Sequence, residues 1–480
     1  MTTISEVVAR HSRVRPNATA FVDATTGTVT TWAEYDELAD RIAARYEGEF
    51  AVGARVGVQM PHTALAHATY LAFERLGAVV VGIGDRATNR EVEHLMSKTG
   101  ATALIRAPEI APERIASTTE PDGDSLWFLN STSGTTGLPK CVMHHQARWF
   151  AFHEFARRAA RFTQDDVFCS LLPAPFGFGL WTAHFTPTIL GSPCVLLDRF
   201  TAPDAIAAIA AWRVSVLAAV STQFIMMLES PDLDAHDLTP LRAMFTGGEM
   251  VPYARALDWE RRTGCTVLQF YGSNETGALS GTTLDDSPEI RLRTAGRVIP
   301  EMQVRLFDPH TGADITSTGG PGVAACRGPV TCLGYFDDPD ANAQLCTPDG
   351  WMKTGDLCTI DSDGVLTVAG RSSDFIIRGG KNLSAAVIEQ ECSTMPGVRL
   401  AAAVAKPDPI FGERVCVFCA VDATTRFALD ELRAHLATRG LGKEHWPEYL
   451  VLVDDDLPRS SGGKVAKAEL RARAAALEML

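Results

Sequence analysis

The sequence has 480 residues, 46% hydrophobic and 21% charged, which is typical of a globular protein large enough for more than one core. Its 58 acidic and 44 basic residues give a formal charge of −14, which argues against a surface built for nucleic acid or anionic lipid. The N-terminal residues lack a signal-peptide core, and no apolar run approaches about 18 residues. With eleven scattered cysteines, a reduced, cytoplasmic protein without a membrane span is expected.

The first part of the chain alternates between helix and strand patterns. Residues 30–46 have apolar side chains at helical spacing with Thr31 as the N-cap, and residues 66–77 are also helical in character. The segments VGVQM (56–60) and AVVVGIG (78–84) indicate short buried strands. This alternation predicts an α/β fold with largely parallel strands.

The pattern changes twice further along. Residues 288–370 are rich in Gly, Pro and Thr between short β-type runs, so this stretch is expected to be mostly β. After Arg371, the helix-like segment 384–395 is followed by two strand-like runs and two more helical segments, which predicts a compact α+β unit. We therefore place a boundary near Gly370–Asp374, with one domain over 1–370 and another over 371–480.

Two clusters that could suggest zinc are better explained otherwise. Cys416 and Cys419 form a lone CxxC inside the apolar run VCVFCAV, which indicates a buried strand, and no second ligand pair follows. His144 and His145 lack the helical spacing of a zinc motif. They are expected at the surface or behind a site.

The segment LNSTSGTTGLPK (129–140) is the most informative. Of the ten residues from Ser131 to Lys140, eight are Ser, Thr, Gly or Lys, and they follow an apolar run that indicates a strand. Small residues let successive backbone N–H groups point at one anion, and Lys140 adds charge, so the segment predicts a phosphate-binding loop. It is not the common nucleotide loop, because Leu138 and Pro139 separate Gly137 from Lys140. A flexible linker would explain neither the strand before it nor the Pro-Lys after it.

This segment resembles the signature of the acyl-adenylate-forming (AMP-binding) superfamily, which includes acyl-CoA synthetases, adenylation domains and luciferase. Five other segments are similar to the family's motifs in order and approximate spacing: RPNATAFVD with TTWAEYDELADRIA (15–43), FYGSNETG (270–277), DGWMKTGDL (349–357), GRSSDFIIRGGKNLS (370–384) and LPRSSGGKVAKAELR (457–471). The resemblance covers nearly the whole chain. It implies a large N-terminal domain, a small mobile C-terminal domain, and formation of acyl-AMP and pyrophosphate from a carboxylic acid and ATP.

The resemblance also implies roles for single residues. Lys464 is the expected catalytic cation, Glu275 would help to hold Mg²⁺, and Tyr271 would lie against adenine. Asn274 stands where the family usually has Thr, and its amide can still donate to a phosphate. Asp356 would accept hydrogen bonds from both ribose hydroxyls, with Arg371 closing over the ribose or phosphate. The nucleotide-binding residues implied are Ser131, Thr132, Ser133, Gly134, Thr135, Thr136, Lys140, Tyr271, Gly272, Asp356 and Arg371.

The acyl pocket is expected to draw on Phe176, Gly177, Phe178, Trp181, Phe224, Gly247 and Gly248. These residues favour an apolar acid, cyclic or aromatic, although core packing is an open alternative for each of them. Aligned to amino-acid-activating relatives, Gly177 falls where a carboxylate would pair with the substrate's α-ammonium. Without that carboxylate an α-amino acid would bury an unpaired cation, which disfavours it as a substrate.

The acceptor is the least determined part of the reaction. An acyl-CoA ligase is favoured, with ATP, Mg²⁺ and CoA as cofactors, and transfer to a carrier protein or to an amine is the alternative. No carrier-protein segment is visible, so the acceptor is expected to be a separate molecule, and the enzyme a monomer or homodimer. A nucleotide-binding relative without activity is disfavoured, because Lys140, Glu275, Asp356 and Lys464 are all present. Ser373 is the expected hinge, and Gly379 and Gly380 are expected to line the acceptor tunnel.

Overall fold

The computed structural model describes residues 2–115, 118–119, 122–132, 139–249, 251–371, 375–379, 381–459 and 465–477, without the side chains of Thr132, Arg371, Lys381 and Asn382. Some residues singled out above lie outside the described residues: Ser133, Gly134, Thr135, Thr136, Ser373, Gly380 and Lys464.

Helices and strands alternate over much of the chain. The helices are α1 (Ile4–Val14), α2 (Trp32–Arg45), α3 (Ala64–Arg75), α4 (Asn89–Thr99), α5 (Ala147–Ala160), α6 (Gly177–Gly179), α7 (Thr186–Leu190), α8 (Ala202–Ala211), α9 (Ser221–Glu229), α10 (Tyr253–Thr263), α11 (Pro288–Arg293), α12 (Pro339–Leu345), α13 (Ala385–Cys392), α14 (Leu429–Thr438) and α15 (Lys467–Ala475). A π-helix spans Leu180–Phe185, and 3₁₀ turns span Pro231–Asp234, Thr316–Thr318 and Lys443–His445.

The strands before residue 300 are β1 (Thr19–Asp23), β2 (Thr28–Thr31), β3 (Arg55–Gln59), β4 (Val79–Ile83), β5 (Ala103–Ile105), β6 (Phe128–Thr132), β7 (Lys140–His144), β8 (Phe168–Ser170), β9 (Cys194–Leu196), β10 (Val216–Ala218), β11 (Ala243–Thr246), β12 (Thr266–Ser273), β13 (Gly277–Gly281) and β14 (Arg297–Val298). Those after it are β15 (Gln303–Phe307), β16 (Gly322–Arg327), β17 (Met352–Ile360), β18 (Leu366–Arg371), β19 (Phe375–Arg378), β20 (Lys381–Ser384), β21 (Val398–Asp408), β22 (Gly412–Val421) and β23 (Tyr449–Val453).

Two sheets with parallel centres form the first part of the molecule. One has the order β5-β3-β4-β6-β7 and is parallel except for the antiparallel β6–β7 hairpin. The other has the order β14-β13-β12-β11-β10-β8-β9-β1-β2, with antiparallel pairs only towards its ends. One apolar core joins both sheets, with Val56 and Phe128 from the first and Phe168 and Phe245 from the second. The predicted α/β class is confirmed.

The local signals near the N-terminus are also confirmed. Helix α2 begins at Trp32 because Thr31 caps it. The Thr31 hydroxyl accepts from the Glu34 N–H at 3.2 Å, and the Glu34 carboxylate accepts from the Thr31 N–H at 2.8 Å. Helix α3 and strands β3 and β4 lie where their patterns predicted, and β3 and β4 pair in parallel.

In the stretch 288–370 strands predominate over helices, which agrees with the predicted β character, but two helices were not anticipated. Strands β15 to β18 form an antiparallel sheet in chain order. Helix α11 begins after the N-cap Ser287 and α12 after the N-cap Asp338, and in both helices proline is the first residue. A cap followed by proline is a recognised start signal, because proline has no N–H to satisfy there.

After Arg371 the strands belong to a separate sheet of order β20-β19-β22-β21, with β23 beside β22. The predicted helix at 384–395 is α13, capped by Ser384. Cys416 and Cys419 are completely buried in β22, so the strand interpretation of this CxxC is confirmed. Ion pairs connect this part to the rest: Arg399 Nη1 lies 3.7 Å from Glu229 Oε2, and Arg255 Nη2 lies 4.0 Å from Asp422 Oδ1. None of the helices in the described ranges has the length and apolar character that a bilayer crossing requires.

Candidate nucleotide and acyl site

The β6–β7 hairpin places Lys140 at the start of the site. Residue 132 pairs with Lys140 in the antiparallel register, so the two ends of the predicted phosphate-binding loop lie side by side. The half-buried Lys140 side chain lies over the ring of Tyr335, with Nζ 4.8 Å from the ring centroid. A cation in this position is oriented by the ring while its N–H groups stay available for an anion.

Tyr335 connects that cation to the predicted metal ligand. Its hydroxyl donates to Glu275 Oε1 at 2.8 Å, and burial together with the Glu275 carboxylate raises the pKa of the phenol well above its usual value. Tyr335 therefore remains a donor and orients the carboxylate. Tyr335 was not predicted from the sequence, because the Gly and aromatic residues around it do not form a recognisable motif.

Hydrogen bonds between the main chain and the hydroxyls of Ser273 and Thr276 hold the turn that carries Glu275. Ser273 Oγ accepts from the N–H groups of Glu275 at 3.2 Å and Thr276 at 3.1 Å, and the Thr276 hydroxyl accepts from the Ser273 N–H at 2.8 Å. Gly272 is exposed beside a register shift between β12 and β13, where a Cβ would overlap the carbonyl oxygen of Gly277. Only glycine fits there.

Tyr271 and Asp356 meet on the other side of this turn. The Tyr271 hydroxyl donates to Asp356 Oδ2 at 2.7 Å and lies 3.4 Å from the sulfur of Cys358. Burial raises the pKa of Tyr271, so the phenol stays protonated. Asp356 and Arg371 are directly opposite each other in the β17–β18 register. The structure thus brings the residues expected at adenine and ribose together, and one Asp356 oxygen is already bound by Tyr271.

A buried chain of polar side chains lies behind the turn. Asn274 Nδ2 donates to Asn130 Oδ1 at 2.5 Å, His144 Nε2 lies 2.8 Å from the same oxygen, and Arg148 Nη1 lies 2.7 Å from His144 Nδ1. Arg148 Nη2 closes the ring by donating to the Asn274 carbonyl at 3.0 Å. Burial lowers the pKa of Arg148 to about 10, so its guanidinium is charged at neutral pH. Asn130 and Arg148 were not predicted from the sequence, and His144, expected at the surface or behind a site, is completely buried.

Four of the residues predicted to line the acyl pocket, Phe176, Gly177, Phe178 and Trp181, lie at α6 and the π-helix that follows it. Phe176, Gly177 and Phe178 are half-buried, whereas Trp181 is 3% exposed, and its ring stacks on Phe178 at a centroid distance of 5.5 Å. Phe224 has no exposed surface and packs against Trp259 in another core, so in this structure it is a core residue, and its role in an acyl pocket stays a prediction.

The predicted acyl pocket includes glycines at position 177 and at positions 247 and 248. A Cβ at Gly177 would lie 2.6 Å from Asn274 Oδ1, so the Asn274 amide occupies the space that a side chain at 177 would need. Gly247 and Gly248 follow β11, and Gly248 has a φ of +84°, a conformation that favours glycine.

The structure says little about the residues predicted for the acceptor tunnel, the hinge and the catalytic cation. Gly379 lies at the β19–β20 turn with a φ of +56°, and its N–H donates to the Phe411 carbonyl at 2.8 Å. Its role in an acceptor tunnel stays a prediction, as do the roles of Lys464, Ser373, Gly380 and the loop residues 133–136.

Glu275 is the candidate ligand for magnesium. No group of three or more His, Cys, Asp or Glu side chains among them could hold a metal ion. Magnesium is commonly bound by one or two carboxylates together with substrate phosphates. Glu275, half-buried and oriented by Tyr335, fits that arrangement, in which ATP supplies the other oxygens.

Comparisons with known proteins identify enzymes to which this chain is similar. The family model described as AMP-binding enzyme matches residues 8–336, and that described as AMP-binding enzyme C-terminal domain matches residues 387–464. A feruloyl-CoA synthase of Amycolatopsis sp is 30% identical over 97% of this chain and 97% of its own. A medium-chain fatty-acid–CoA ligase of Escherichia coli is 32% identical over 77% of this chain, and the match spans 65% of that ligase, just under two thirds of its length.

Solved structures align along almost the whole chain. ATP-bound MatB from Rhodopseudomonas palustris superimposes with a TM-score of 0.88 at 27% identity, covering 98% of this chain and 99% of MatB. The amide bond synthetase McbA from Marinactinospora thermotolerans gives a TM-score of 0.86 at 25% identity, covering 98% of this chain and 100% of McbA.

Proposed function

This chain belongs to the AMP-binding enzyme family, and we propose that it converts a carboxylic acid and ATP into acyl-AMP and pyrophosphate and then transfers the acyl group to CoA. The observation that carries the proposal is the contact between two segments far apart in the sequence. Through Tyr335, the cation at the end of the phosphate-binding loop, Lys140, is linked to the carboxylate of Glu275.

The chemistry asks for charge stabilisation rather than covalent catalysis. A carboxylate that attacks the α-phosphate must approach another anion, so cations and N–H donors lower the barrier. Lys140 and the loop before it would bind phosphate oxygens, and Tyr271 and Asp356 would position the nucleoside. Mg²⁺ bound by Glu275 would neutralise phosphate charge. We assign the catalytic cation of the first half-reaction to Lys464, with residues 371–480 as the domain that delivers it by rotation about Ser373.

We propose an apolar, cyclic or aromatic monocarboxylate as the substrate. The rings of Phe176, Phe178 and Trp181 around α6 support this class, and so does the similarity to an enzyme named for an aromatic acid, feruloyl-CoA synthase. CoA as the acceptor is supported by the two curated CoA ligases. Amide formation is the second candidate, because McbA, an amide bond synthetase, has the same fold over the full chain.

ATP–pyrophosphate exchange with aromatic, alicyclic and linear carboxylic acids tests the first half-reaction. We expect Mg²⁺-dependent exchange, strongest with a cyclic or aromatic acid. The best acid is then incubated with ATP and CoA, a phosphopantetheinyl carrier protein, or an amine, and the products are identified by mass spectrometry. An acyl-CoA product supports the first candidate, and an amide without acyl-CoA supports the second. An absence of exchange with every acid would overturn both.

A further inference from the structure

The polar chain behind the Glu275 turn fixes the direction of each hydrogen bond in it. Arg148 is charged and has donors only, so His144 Nδ1 must accept from it. The His144 proton is therefore on Nε2, which donates to Asn130 Oδ1. Burial and the neighbouring guanidinium hold the pKa of His144 well below its usual value, so the ring is neutral. The single fixed donor, Arg148, thus makes the Asn130 oxygen an acceptor.

This direction determines which end of the Asn274 amide faces Gly177. Asn274 Nδ2 donates to Asn130 Oδ1 at 2.5 Å, and Asn130 Nδ2 donates to Asn274 Oδ1 at 3.3 Å. A flipped Asn274 amide would put two acceptor oxygens against each other at the shorter contact. The Oδ1 atom therefore stays on the side where a Cβ of residue 177 would be, 2.6 Å from that position. Gly177 and Asn274 are both half-buried.

We propose that Asn274 Oδ1 accepts a hydrogen bond from the substrate acid, so that the preferred acid carries an uncharged donor, a hydroxyl or an aromatic amine, next to its carboxyl group. This assignment rests on the proposed function. The donor belongs near the carboxyl group because Asn274 directly precedes Glu275, the residue assigned to the phosphates and Mg²⁺, where the carboxylate reacts. An acid without the donor would desolvate the amide oxygen and leave it with only the long bond from Asn130 Nδ2.

The same chain of residues argues against a charged donor. The Arg148 guanidinium binds the main-chain carbonyl of Asn274 at 3.0 Å. An ammonium on the substrate, bound to the side chain of the same residue, would lie beside this buried cation with no carboxylate at position 177 to balance it. A hydroxyl or a neutral aromatic amine offers the donor without the charge. Asn274 is a specificity-determining residue in this scheme, and Asn130, His144 and Arg148 are positioning residues.

Matched acids test the proposal. ATP–pyrophosphate exchange is measured with benzoate, 2-hydroxybenzoate and 4-hydroxybenzoate, and with hexanoate, 2-hydroxyhexanoate and 2-aminohexanoate. In the class that exchanges best, we expect the 2-hydroxy acid to exceed the unsubstituted acid by about three- to tenfold in kcat/KM, the size of one neutral hydrogen bond. 4-Hydroxybenzoate should behave like benzoate, and 2-aminohexanoate should be the poorest of its series.

Variants assign the preference to the amide. Asn274→Leu should bring the ratio of 2-hydroxy to unsubstituted acid close to one, and Asn130→Leu should lower it without altering the pocket wall. Asn342→Leu is the control, because Asn342 binds the main chain of Tyr335, so its loss should lower exchange with all acids and leave the ratio unchanged. If Asn274→Leu does not fold, Asn274→Ala removes the amide oxygen without adding bulk or a new acceptor.

If the wild-type enzyme has equal kcat/KM values for each 2-hydroxy acid and its unsubstituted partner, the inference is overturned but the proposed function is not. A preference that persists in the Asn274 variants would overturn its assignment to this residue. An absence of exchange with every acid would overturn the proposed function, and the inference with it.

Discussion

The close approach of Gly177 and Asn274 predicts a strong effect from adding one methyl group. In Gly177→Ala the new Cβ would lie 2.6 Å from Asn274 Oδ1, so one of the two atoms must move by about 0.8 Å to reach an ordinary contact. The backbone of Gly177 is not in the left-handed region, so the conformation itself tolerates alanine. Asn274 cannot move without weakening its bond to Asn130. Overpacking of this kind costs about 1–3 kcal/mol in the free energy of unfolding, and displacement of the Asn274 oxygen should lower kcat/KM by about three- to tenfold, the size of one hydrogen bond.

A double-mutant cycle separates this clash from other effects of the methyl group. ATP–pyrophosphate exchange is measured for the wild type, Gly177→Ala, Asn274→Ala and the double variant. Because Asn274→Ala removes the obstructing oxygen, Gly177→Ala should change kcat/KM by less than about twofold in that background. Equal losses from Gly177→Ala in both backgrounds would refute the steric reasoning, as would a Gly177→Ala enzyme with unchanged kcat/KM.

Four further predictions concern other parts of the chain. Lys464→Ala should lower acyl-AMP formation by about two to three orders of magnitude and spare acyl transfer from a supplied acyl-adenylate, and equal damage to both steps would contradict its role. Ser373→Pro should strongly impair one half-reaction in single-turnover assays and leave the other within about tenfold of wild type, since rotation about this residue must also separate the ion pairs Arg399–Glu229 and Arg255–Asp422. Tyr335→Phe removes the donor to Glu275 but keeps the ring beneath Lys140, so exchange should fall about three- to tenfold. Tyr335→Leu also removes the ring and should lower exchange further. Equal exchange rates for the two variants would show that the ring does not contribute. Burial, and then Arg15, lower the pKa of His11 to about 4, so between pH 6.5 and 4 the unfolded chain takes up a proton that the folded chain does not. Stability should therefore fall by about 1.4 kcal/mol per pH unit from this residue as the pH decreases, and His11→Gln should flatten the dependence of the denaturation midpoint on pH.

Much of the fold could be predicted because its signals are local. The capping box of Thr31 and Glu34 and the apolar strands β3 and β4 act through neighbours in sequence, and the structure confirms them. The helices α11 and α12 were missed because the Gly, Pro and Thr content of the region dominated the interpretation. Their own signals, Ser287-Pro288 and Asp338-Pro339, are short and were outweighed by composition.

The site shows where sequence reasoning ends. Motifs located Lys140, Tyr271, Glu275 and Asp356, because those residues lie in segments whose spacing carries chemistry. Tyr335 lies 60 positions from Glu275 and has no motif around it, so only the fold reveals their hydrogen bond. For Phe224, hydrophobicity alone could not distinguish a pocket residue from a core residue, and the structure buries its side chain completely among other apolar residues.

The departure at Asn274 illustrates the same limit most clearly. Considered alone, an amide in place of Thr is a small change in a phosphate-binding turn. The structure shows that it comes with three other polar residues from β6, β7 and α5, namely Asn130, His144 and Arg148. A buried amide or guanidinium is costly unless its hydrogen bonds are satisfied, so none of these residues is stable there without the others. They therefore have to be interpreted as one unit, in which the Asn274 oxygen lies against the position that a Cβ of residue 177 would occupy.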